Sequence, residues 1–295
     1  VYICLFYSLG MGFCMQKLEL IVYVAALAVA IAIAIYTVLL IFGELRVGVP
    51  EAVHTPIFNA TLIVGGVVYL PLPRRVSNVS VEEAILWRRS IRDYTQEPLT
   101  VDQLSMLLWA AYGVTETRWG LRASPSAGAT YPLEIYVVVG EKGVAIGDSG
   151  YLEAGVYKYD LHSHTLKLLK RGDFREELAR AAVDQSWVRE APINIVITAV
   201  FERTTRIYGE RGRERYVPME VGHAGQNIYL MATAMRLGAV VVGAFFDDWV
   251  ARIVSVPEDE VPMYIVPVGV PEEFRETSFE EIQRYIESRR GWGSG

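Results

Sequence analysis

The chain of 295 residues is 52% hydrophobic and carries a formal net charge of −6 at pH 7. Setting aside about 40 apolar residues at the N-terminus leaves about 250, enough for one large domain or two small ones. The mild acidity argues against a nucleic-acid-binding surface, which usually clusters basic residues. Cys4 and Cys14 both lie in the apolar N-terminal stretch, so the remaining sequence has neither a disulfide framework nor a cysteine metal site.

An apolar run occupies residues 18–43, and Glu19 is its single charge. As a helix it spans about 39 Å at about 1.5 Å per residue, more than the ~30 Å hydrocarbon core of a bilayer. No polar stripe interrupts the run and no small-x-small cleavage site follows it, so it predicts a single-pass transmembrane helix rather than a cleaved signal peptide. Residues 1–17 are predicted to be an extension that starts at either Val1 or Met15, and residues 44–69 a linker.

Residues 70–295 are predicted to form the main domain. Capping boxes at residues 80–83 and 100–103 predict two helices, one reaching about residue 89 and one ending at Gly113. A longer helix is predicted over residues 221–237, and strands at 62–70, 134–139, 156–159, 193–200, 240–246 and 263–268. Helices and strands intermix without a regular βαβ alternation, which favours an α+β sandwich. No G-x-G-x-x-G motif occurs, which disfavours a Rossmann nucleotide site.

Three segments carry candidate chemistry. Residues 88–92 (RRSIR) suit a phosphate, because guanidinium groups pair bidentately with phosphate oxygens; a solvated basic patch is the alternative. Residues 124–132 (SPSAGATYP) place small residues before a strand, where backbone can approach a flat ligand; an ordinary turn explains them equally well. Residues 220–246 combine small helical residues with Glu220 and His223, which form either an acid–base pair or a hydrogen bond at the start of a helix.

Taken in order, these segments resemble the FMN-dependent nitroreductase family, and within it the SagB-type branch that includes azoline oxidases. The resemblance runs from about residue 70 to 271 and rests on eight stretches: LPLP (70–73), RRSIRDY (88–94), LLWAAYGVT (107–115), PSAGATYPLEIYVVV (125–139), GVYKYD (155–160), EAPINIVITA (190–199), YGERGRERYVPMEVGHAGQNIYLMA (208–232) and LGAVVVGAF (237–245). It implies a nitroreductase-like three-layer sandwich with a mainly antiparallel central sheet flanked by helices.

The resemblance also implies a binding site for FMN. Arg88, Arg89 and Ser90 would hold the phosphate and ribityl chain. Arg92 would lie near N1 and O2 of the flavin, where a fixed cation stabilises the negative charge of the reduced ring. In the resemblance, Pro125, Ser126, Ala127 and Gly128 reach the FMN of the other subunit, which implies a homodimer with a shared active site. Gln185 would lie at the pyrimidine edge of the flavin. Gly243 and Ala244 would lie against the ring near N5.

The implied reaction is a ping-pong hydride transfer from NADH or NADPH, through the flavin, to a quinone, nitro compound or similar acceptor. Two alternatives stay open: a SagB-type dehydrogenase acting on azolines in a peptide, and a non-enzymatic flavin-binding module. Azoline oxidases use a Lys-Tyr pair as general base; Arg215-Tyr216 occupies the nearest position here, so Tyr216 is either a proton donor or acceptor, or a packing residue. Residues 203–217 form either a mobile charged cover over the flavin or a solvated loop.

Two further expectations concern location and metals. The catalytic domain is expected in the cytoplasm, where FMN and nicotinamides are available, although the flanking charges do not fix the orientation of the helix. His162 and His164 form an H-x-H pair with no other ligand type in metal-binding spacing. They predict a surface hairpin, and no metal site is expected.

Overall fold

The computed structural model describes residues 62–290, which belong to one compact unit of the chain. The predicted N-terminal extension, the predicted transmembrane helix and residues 44–61 of the linker lie outside this range. Among the residues from 62 to 290, none of the helices is both long and apolar enough to cross a bilayer. Residues 62–69, the end of the predicted linker, form two strands of the main sheet.

The main sheet has eight strands, and every neighbouring pair in it is antiparallel. In spatial order they are β1 (Leu62–Val64), β2 (Val67–Tyr69), β9 (Thr165–Arg171), β8 (Gly155–Asp160), β6 (Leu133–Val139), β10 (Ile193–Ala199), β12 (Val261–Gly269) and β11 (Gly238–Ala239). Four short strands form two further ribbons: β3 (Leu99–Thr100) with β7 (Val144–Ala145), and β4 (Val114–Glu116) with β5 (Leu121–Arg122). The predicted mainly antiparallel α+β architecture is confirmed.

Eight α-helices lie within the described residues: α1 (Val81–Trp87), α2 (Val101–Tyr112), α3 (Arg175–Ala181), α4 (Ser186–Glu190), α5 (Glu202–Tyr208), α6 (Val217–Ala234), α7 (Asp247–Val254) and α8 (Phe279–Arg290). Both predicted capping boxes are present. Ser80 and Glu83 exchange side-chain and backbone hydrogen bonds at the start of α1, and Thr100 and Gln103 do the same at the start of α2. The two sequence signals therefore locate real helix starts.

Both faces of the sheet are covered by helices. Along β6, Ile135 and Val137 belong to one hydrophobic cluster, which includes residues of α2 and α6. Tyr136 and Val138 belong to a second cluster, which includes residues of α3, α4 and α7. Since successive side chains of a strand point to opposite faces, the sheet forms the middle of three layers.

The predicted strand at residues 240–246 is wrong for most of its length. Strand β11 ends at Ala239, and beyond it only Val242 forms a bridge, to Ile265 of β12. Continuing the register of β11 and β12 would place Val240 opposite Pro267. The Val240 N–H donates to the Pro267 carbonyl at 3.3 Å, but Pro267 has no N–H to return a bond, so the pairing is incomplete there. Val242 then exchanges both backbone hydrogen bonds with Ile265, and Gly243 and Ala244, which follow it, are exposed.

The charged segment 203–217 is helical, so the solvated-loop alternative is wrong. Helix α5 covers its first part, and a π-helical turn, Gly212–Tyr216, leads directly into α6. Helix α6 consequently begins at Val217, four residues before the predicted start at 221. Pro218 at its beginning is compatible with the first turn, where backbone N–H groups have no intrahelical partner.

Candidate functional site

The arginine-rich segment 88–92 lies beside the end of the main sheet. Ser90 forms an isolated parallel bridge with Ala239 of β11, and the Ile91 N–H donates to the Ala239 carbonyl at 3.0 Å. Along such an extended backbone, alternate side chains point to opposite sides. The structure therefore brings Arg88 and Ser90 next to the residues that follow β11. The arginine-rich segment 88–92 and the end of segment 220–246 thus lie side by side.

Tyr229 of α6 organises this junction. Its ring lies 5.1 Å from the Arg88 guanidinium, and its hydroxyl lies 2.9 Å from Ser90 Oγ. The Val241 N–H donates to the same hydroxyl, also at 2.9 Å. With its oxygen accepting from Val241, Tyr229 is placed to donate to Ser90, which leaves the serine proton for an anion. Sequence reasoning missed Tyr229, because a tyrosine inside an apolar helix is usually a packing residue.

Arg89 lies apart from Arg88 and Ser90. Its guanidinium donates to the carbonyls of Leu86 and Arg88, at 2.9 and 2.8 Å, and to Thr277 Oγ1 at 3.2 Å. These contacts tie the end of α1 to the C-terminal part of the described chain. The structure thus separates the two neighbouring arginines that the sequence treats alike, and Arg88 is the one placed with Ser90.

Arg92 and Gln185 extend the same region towards the exposed Gly243 and Ala244. The Arg92 guanidinium lies 5.1 Å from the Trp187 ring, whose buried Nε1–H has no hydrogen-bond partner. Gln185 Nε2 donates to the carbonyls of Ala182 and Ala244, at 2.7 and 3.1 Å. With both amide hydrogens used in this way, the Gln185 Oε1 is its remaining polar atom. The region offers cations, one hydrogen-bond acceptor and small exposed residues, and this combination suits a flat, anionic ligand.

The small-residue segment 125–128 forms a tight turn elsewhere. Gly128 has a φ of +60°, and a Cβ added to it would lie 2.5 Å from the Tyr208 hydroxyl. Ser126 Oγ accepts from the Tyr131 N–H at 2.9 Å, which closes the turn. The left-handed backbone favours glycine at this position, and a larger residue would also require the Tyr208 hydroxyl of α5 to move.

A buried carboxyl lies beside this turn. Glu220, 2% exposed, accepts from the Tyr112 hydroxyl at 2.5 Å, and the Leu133 N–H donates to the same hydroxyl at 3.3 Å. Burial raises the pKa of Glu220, and the hydroxyls of Ser126 and Tyr112 counteract that rise. Glu220 does lie in the first turn of α6, but its carboxyl accepts from the hydroxyls of Tyr112 and Ser126, so the predicted hydrogen bond at a helix start is not formed. His223 is exposed and forms no hydrogen bond with it.

The two groups of predicted site residues pack on opposite faces of α6. Asn227 donates to Ser124 Oγ at 3.2 Å, and Glu220 interacts with Ser126, so residues 124–126 follow one face. Tyr229, which holds Arg88 and Ser90, is nine residues from Glu220; at about 100° per residue it faces the opposite way. A single protomer therefore does not bring Pro125, Ser126, Ala127 and Gly128 to the Arg88 group.

Tyr216 belongs to the group around the small-residue turn. Its ring meets that of Tyr208 edge to face at 5.0 Å, and its hydroxyl accepts from Arg211 Nε at 3.0 Å. It is the last residue of the π-helical turn, a distortion that is frequent at functional sites. Tyr216 thus packs against Tyr208 while its polar end is held by a cation, which leaves both of its predicted roles open.

The H-x-H pair divides between the surface and the core. His162 is exposed in the turn between β8 and β9, as predicted. His164 is 8% exposed and lies within hydrogen-bond distance of Ser105 Oγ (2.7 Å) and the Tyr159 hydroxyl (2.8 Å), so its prediction as a surface residue is wrong. Burial lowers its pKa, which favours the neutral ring. Within residues 62–290 there is no cluster of three potential metal ligands.

Comparison with known proteins gives consistent results. The model of the Nitroreductase family matches residues 85–270. "Putative nitroreductase MJ1384" of Methanocaldococcus jannaschii is 47% identical over 194 residues, which cover 66% of this chain and 92% of that protein. A crystal structure of a putative nitroreductase from Ralstonia eutropha superposes with a TM-score of 0.61 at 29% identity, over 72% of this chain and 94% of the other. The trifolitoxin operon protein TfxC of Rhizobium leguminosarum is 23% identical over 66% of this chain and 57% of its own length.

Proposed function

The chain belongs to the nitroreductase family, and from this premise we propose that it is an FMN-dependent oxidoreductase that uses NADH or NADPH. The single observation that carries the proposal is the junction of Arg88, Ser90 and Tyr229 beside β11. It places a cation and a hydroxyl at one end of a region whose other end is exposed and made of small residues. An elongated molecule with a phosphate at one end and a flat ring at the other matches that order.

The residues present fit FMN by the chemistry of their donors. Arg88 and Ser90 would hold the phosphate, since a guanidinium and a hydroxyl are both donors to phosphate oxygens. Arg92 would place its charge at the pyrimidine side of the ring, with the buried Trp187 Nε1 as an unused donor nearby. Gln185 has an acceptor left, Oε1, which suits the ring N3–H. Gly243 and Ala244 present no bulk at the surface against which the ring would lie.

When bound, FMN supplies hydride transfer between a nicotinamide and an acceptor such as a quinone or a nitro compound. The contribution of the protein is to bind and orient. Arg92 would stabilise negative charge near N1 and O2, and the exposed Gly243 and Ala244 would let the ring lie close to the backbone. No side chain is required as a nucleophile.

We further propose that a second copy of the chain completes the site. Residues 125–128 lie on the face of α6 opposite the Arg88 group, so they reach a flavin only if it belongs to another protomer. The exposed small residues and the left-handed Gly128 suit close approach to a flat ligand. The proposed unit is therefore a homodimer with shared sites, anchored by residues 18–43 and with its catalytic domain in the cytoplasm.

A second candidate function is dehydrogenation of azoline rings in a modified peptide. It is favoured by the similarity to TfxC and by the position of Tyr216, whose hydroxyl is held by Arg211 beside the small-residue turn. In this case a neighbouring arginine would assist Tyr216 as the proton acceptor. The two functions differ in their electron donor, because an azoline dehydrogenase has little need of rapid reduction by a nicotinamide.

Cofactor content tests the proposal directly. The purified full chain should carry about one FMN per protomer, released as FMN on denaturation, and should sediment as a dimer. A mixture of Arg88→Met protomers with Gly128→Ala protomers should regain part of the activity, because half of the shared sites in a mixed dimer are intact. Stoichiometric FMN in a monomer would contradict the shared site, and a chain that binds no FMN would contradict the function.

A further inference from the structure

A cavity of about 680 Å³ lies on the side of the sheet formed by β8 and β9, away from the Arg88 group. Its volume falls in the range of small-molecule sites. Its apolar lining includes Val67, Tyr131 and Leu161, and its cations include Arg122, Lys167 and Arg203. In a chain with a net charge of −6, this concentration of cations is a local exception.

Arg122 is the unusual residue of this cavity. Its guanidinium lies between two aromatic rings, 4.6 Å from the centre of Tyr112 and 4.3 Å from the centre of Tyr131. Two of its nitrogen atoms, Nε and Nη1, are buried and have no hydrogen-bond partner. The Glu220 carboxyl accepts from Tyr112, and the charge of Arg122 acts to lower the pKa of Glu220 without a hydrogen bond between the two side chains. Because these two atoms have almost no accessible surface, a ligand in the cavity would meet the remaining part of the guanidinium, which lines it.

The surroundings hold this arrangement in place. Tyr131 has a φ of +47°, a backbone conformation that non-glycine residues adopt rarely. Ser126 accepts from its N–H at 2.9 Å, and Arg203 donates to its carbonyl at 3.1 Å. Strained residues persist when the surrounding structure fixes them, and they concentrate at binding sites. Here the strained tyrosine supplies one of the two rings that orient the Arg122 guanidinium.

The other charges of the cavity do not neutralise Arg122. Glu134 pairs with Arg203 at 2.6 Å and with Lys158 at 3.1 Å. Asp160 accepts from the backbone of the turn between β8 and β9. Both acidic residues of the lining are therefore engaged with other partners. What remains is the accessible part of the Arg122 guanidinium, the exposed Lys167 and an apolar wall.

We propose that this cavity binds an organic acid, whose carboxylate pairs with Arg122 and whose apolar body packs against Tyr131 and Leu161. A carboxylate accepts a charge-assisted hydrogen bond from a guanidinium N–H and pairs with its positive charge. The apolar wall distinguishes such a ligand from inorganic phosphate, which would leave that wall exposed to water. No residue that lines the cavity is assigned to FMN, although the cavity adjoins the turn 125–128 through Tyr131, and the proposal does not depend on the flavin.

The test uses 2-naphthoate as the probe and its neutral amide, 2-naphthamide, as the comparison. Both are titrated by calorimetry into the purified full chain in detergent micelles, with a titration into empty micelles subtracted. Naphthoate should bind, and the amide should bind at least about tenfold more weakly. Arg122→Met should weaken naphthoate binding by about tenfold or more, the loss expected for a charge-assisted pair. Inorganic phosphate should not compete.

A matched lysine pair keeps the test decisive if Arg122→Met fails to fold, which thermal unfolding reveals. Lys167→Ala removes an exposed lysine of the cavity, and Lys142→Ala removes an exposed lysine outside it. Naphthoate binding should weaken in the first variant and stay unchanged in the second. Equal binding by the two lysine variants, equal binding of the amide, competition by phosphate, or a folded Arg122→Met protein with unchanged affinity would each overturn the proposal.

Discussion

Two adjacent arginines provide the sharpest perturbation of the proposed flavin site. Arg88 lies against the Tyr229 ring with its donors unused by the protein, whereas Arg89 donates to two backbone carbonyls and to Thr277. A hydrogen bond to a charged group contributes about 1.5–3 kcal/mol, which corresponds to roughly 10- to 150-fold in a dissociation constant. Arg88→Met should therefore raise the Kd for FMN by that factor. Arg89→Met should raise it by less than about threefold and should instead lower the free energy of unfolding.

The assay removes FMN from each variant by mild denaturation and refolding, then titrates it back while following the quenching of flavin fluorescence. The two substitutions are identical in chemistry and adjacent in sequence, so differences in expression or net charge cancel. Wild-type rebinding and far-UV circular dichroism report whether the apoprotein is intact. Equal losses of affinity in the two variants, or a loss confined to Arg89→Met, would refute the assignment of the phosphate to Arg88.

Three further predictions concern Glu220, Gly128 and Arg92. Burial raises the pKa of Glu220, so the folded protein binds more protons than the unfolded one. The unfolding free energy of the wild type should therefore rise relative to that of Glu220→Gln as the pH falls from about 7.5 to about 5. Parallel pH profiles of the two proteins would contradict this. Gly128→Ala should destabilise more than Gly120→Ala, since both have positive φ but only the first meets Tyr208, at 2.5 Å; equal melting temperatures would exclude that contact. Arg92→Ala should lower the flavin midpoint potential by roughly 30 mV for about 1.4 kcal/mol of lost charge stabilisation. An unchanged potential in a redox titration would contradict the placement of Arg92 beside the flavin ring.

Local patterns of apolar and capping residues in the sequence predict the core of the fold. The strand β10, apolar except for Asn194 and Thr198, is buried on both faces between two helical layers. The capping boxes fix the starts of α1 and α2. The apolar run after β11 has the same appearance but leaves the sheet. Its pairing with β12 is incomplete at Pro267 and ends at Val242, and because β12 is distant in sequence no local pattern reveals where it stops.

The candidate site shows the same limit. The small-residue and arginine-rich segments are visible in the sequence, but the distinction between Arg88 and Arg89 depends on the bridge between Ser90 and Ala239, a long-range contact. Tyr229 and Arg122 were both missed, since each becomes informative only through its partners. A tyrosine in an apolar helix and an arginine at the end of the short strand β5 carry no local signal of the hydrogen bonds they make or lack.

The most direct measurement of the central claim is an absorbance spectrum of the purified full chain, taken anaerobically before and after addition of NADH or NADPH. A yellow protein whose flavin band bleaches within seconds, and recovers when a quinone is added, is the predicted result. A colourless protein that remains so with excess FMN would contradict the assignment of the Arg88, Ser90 and Tyr229 junction as a flavin site.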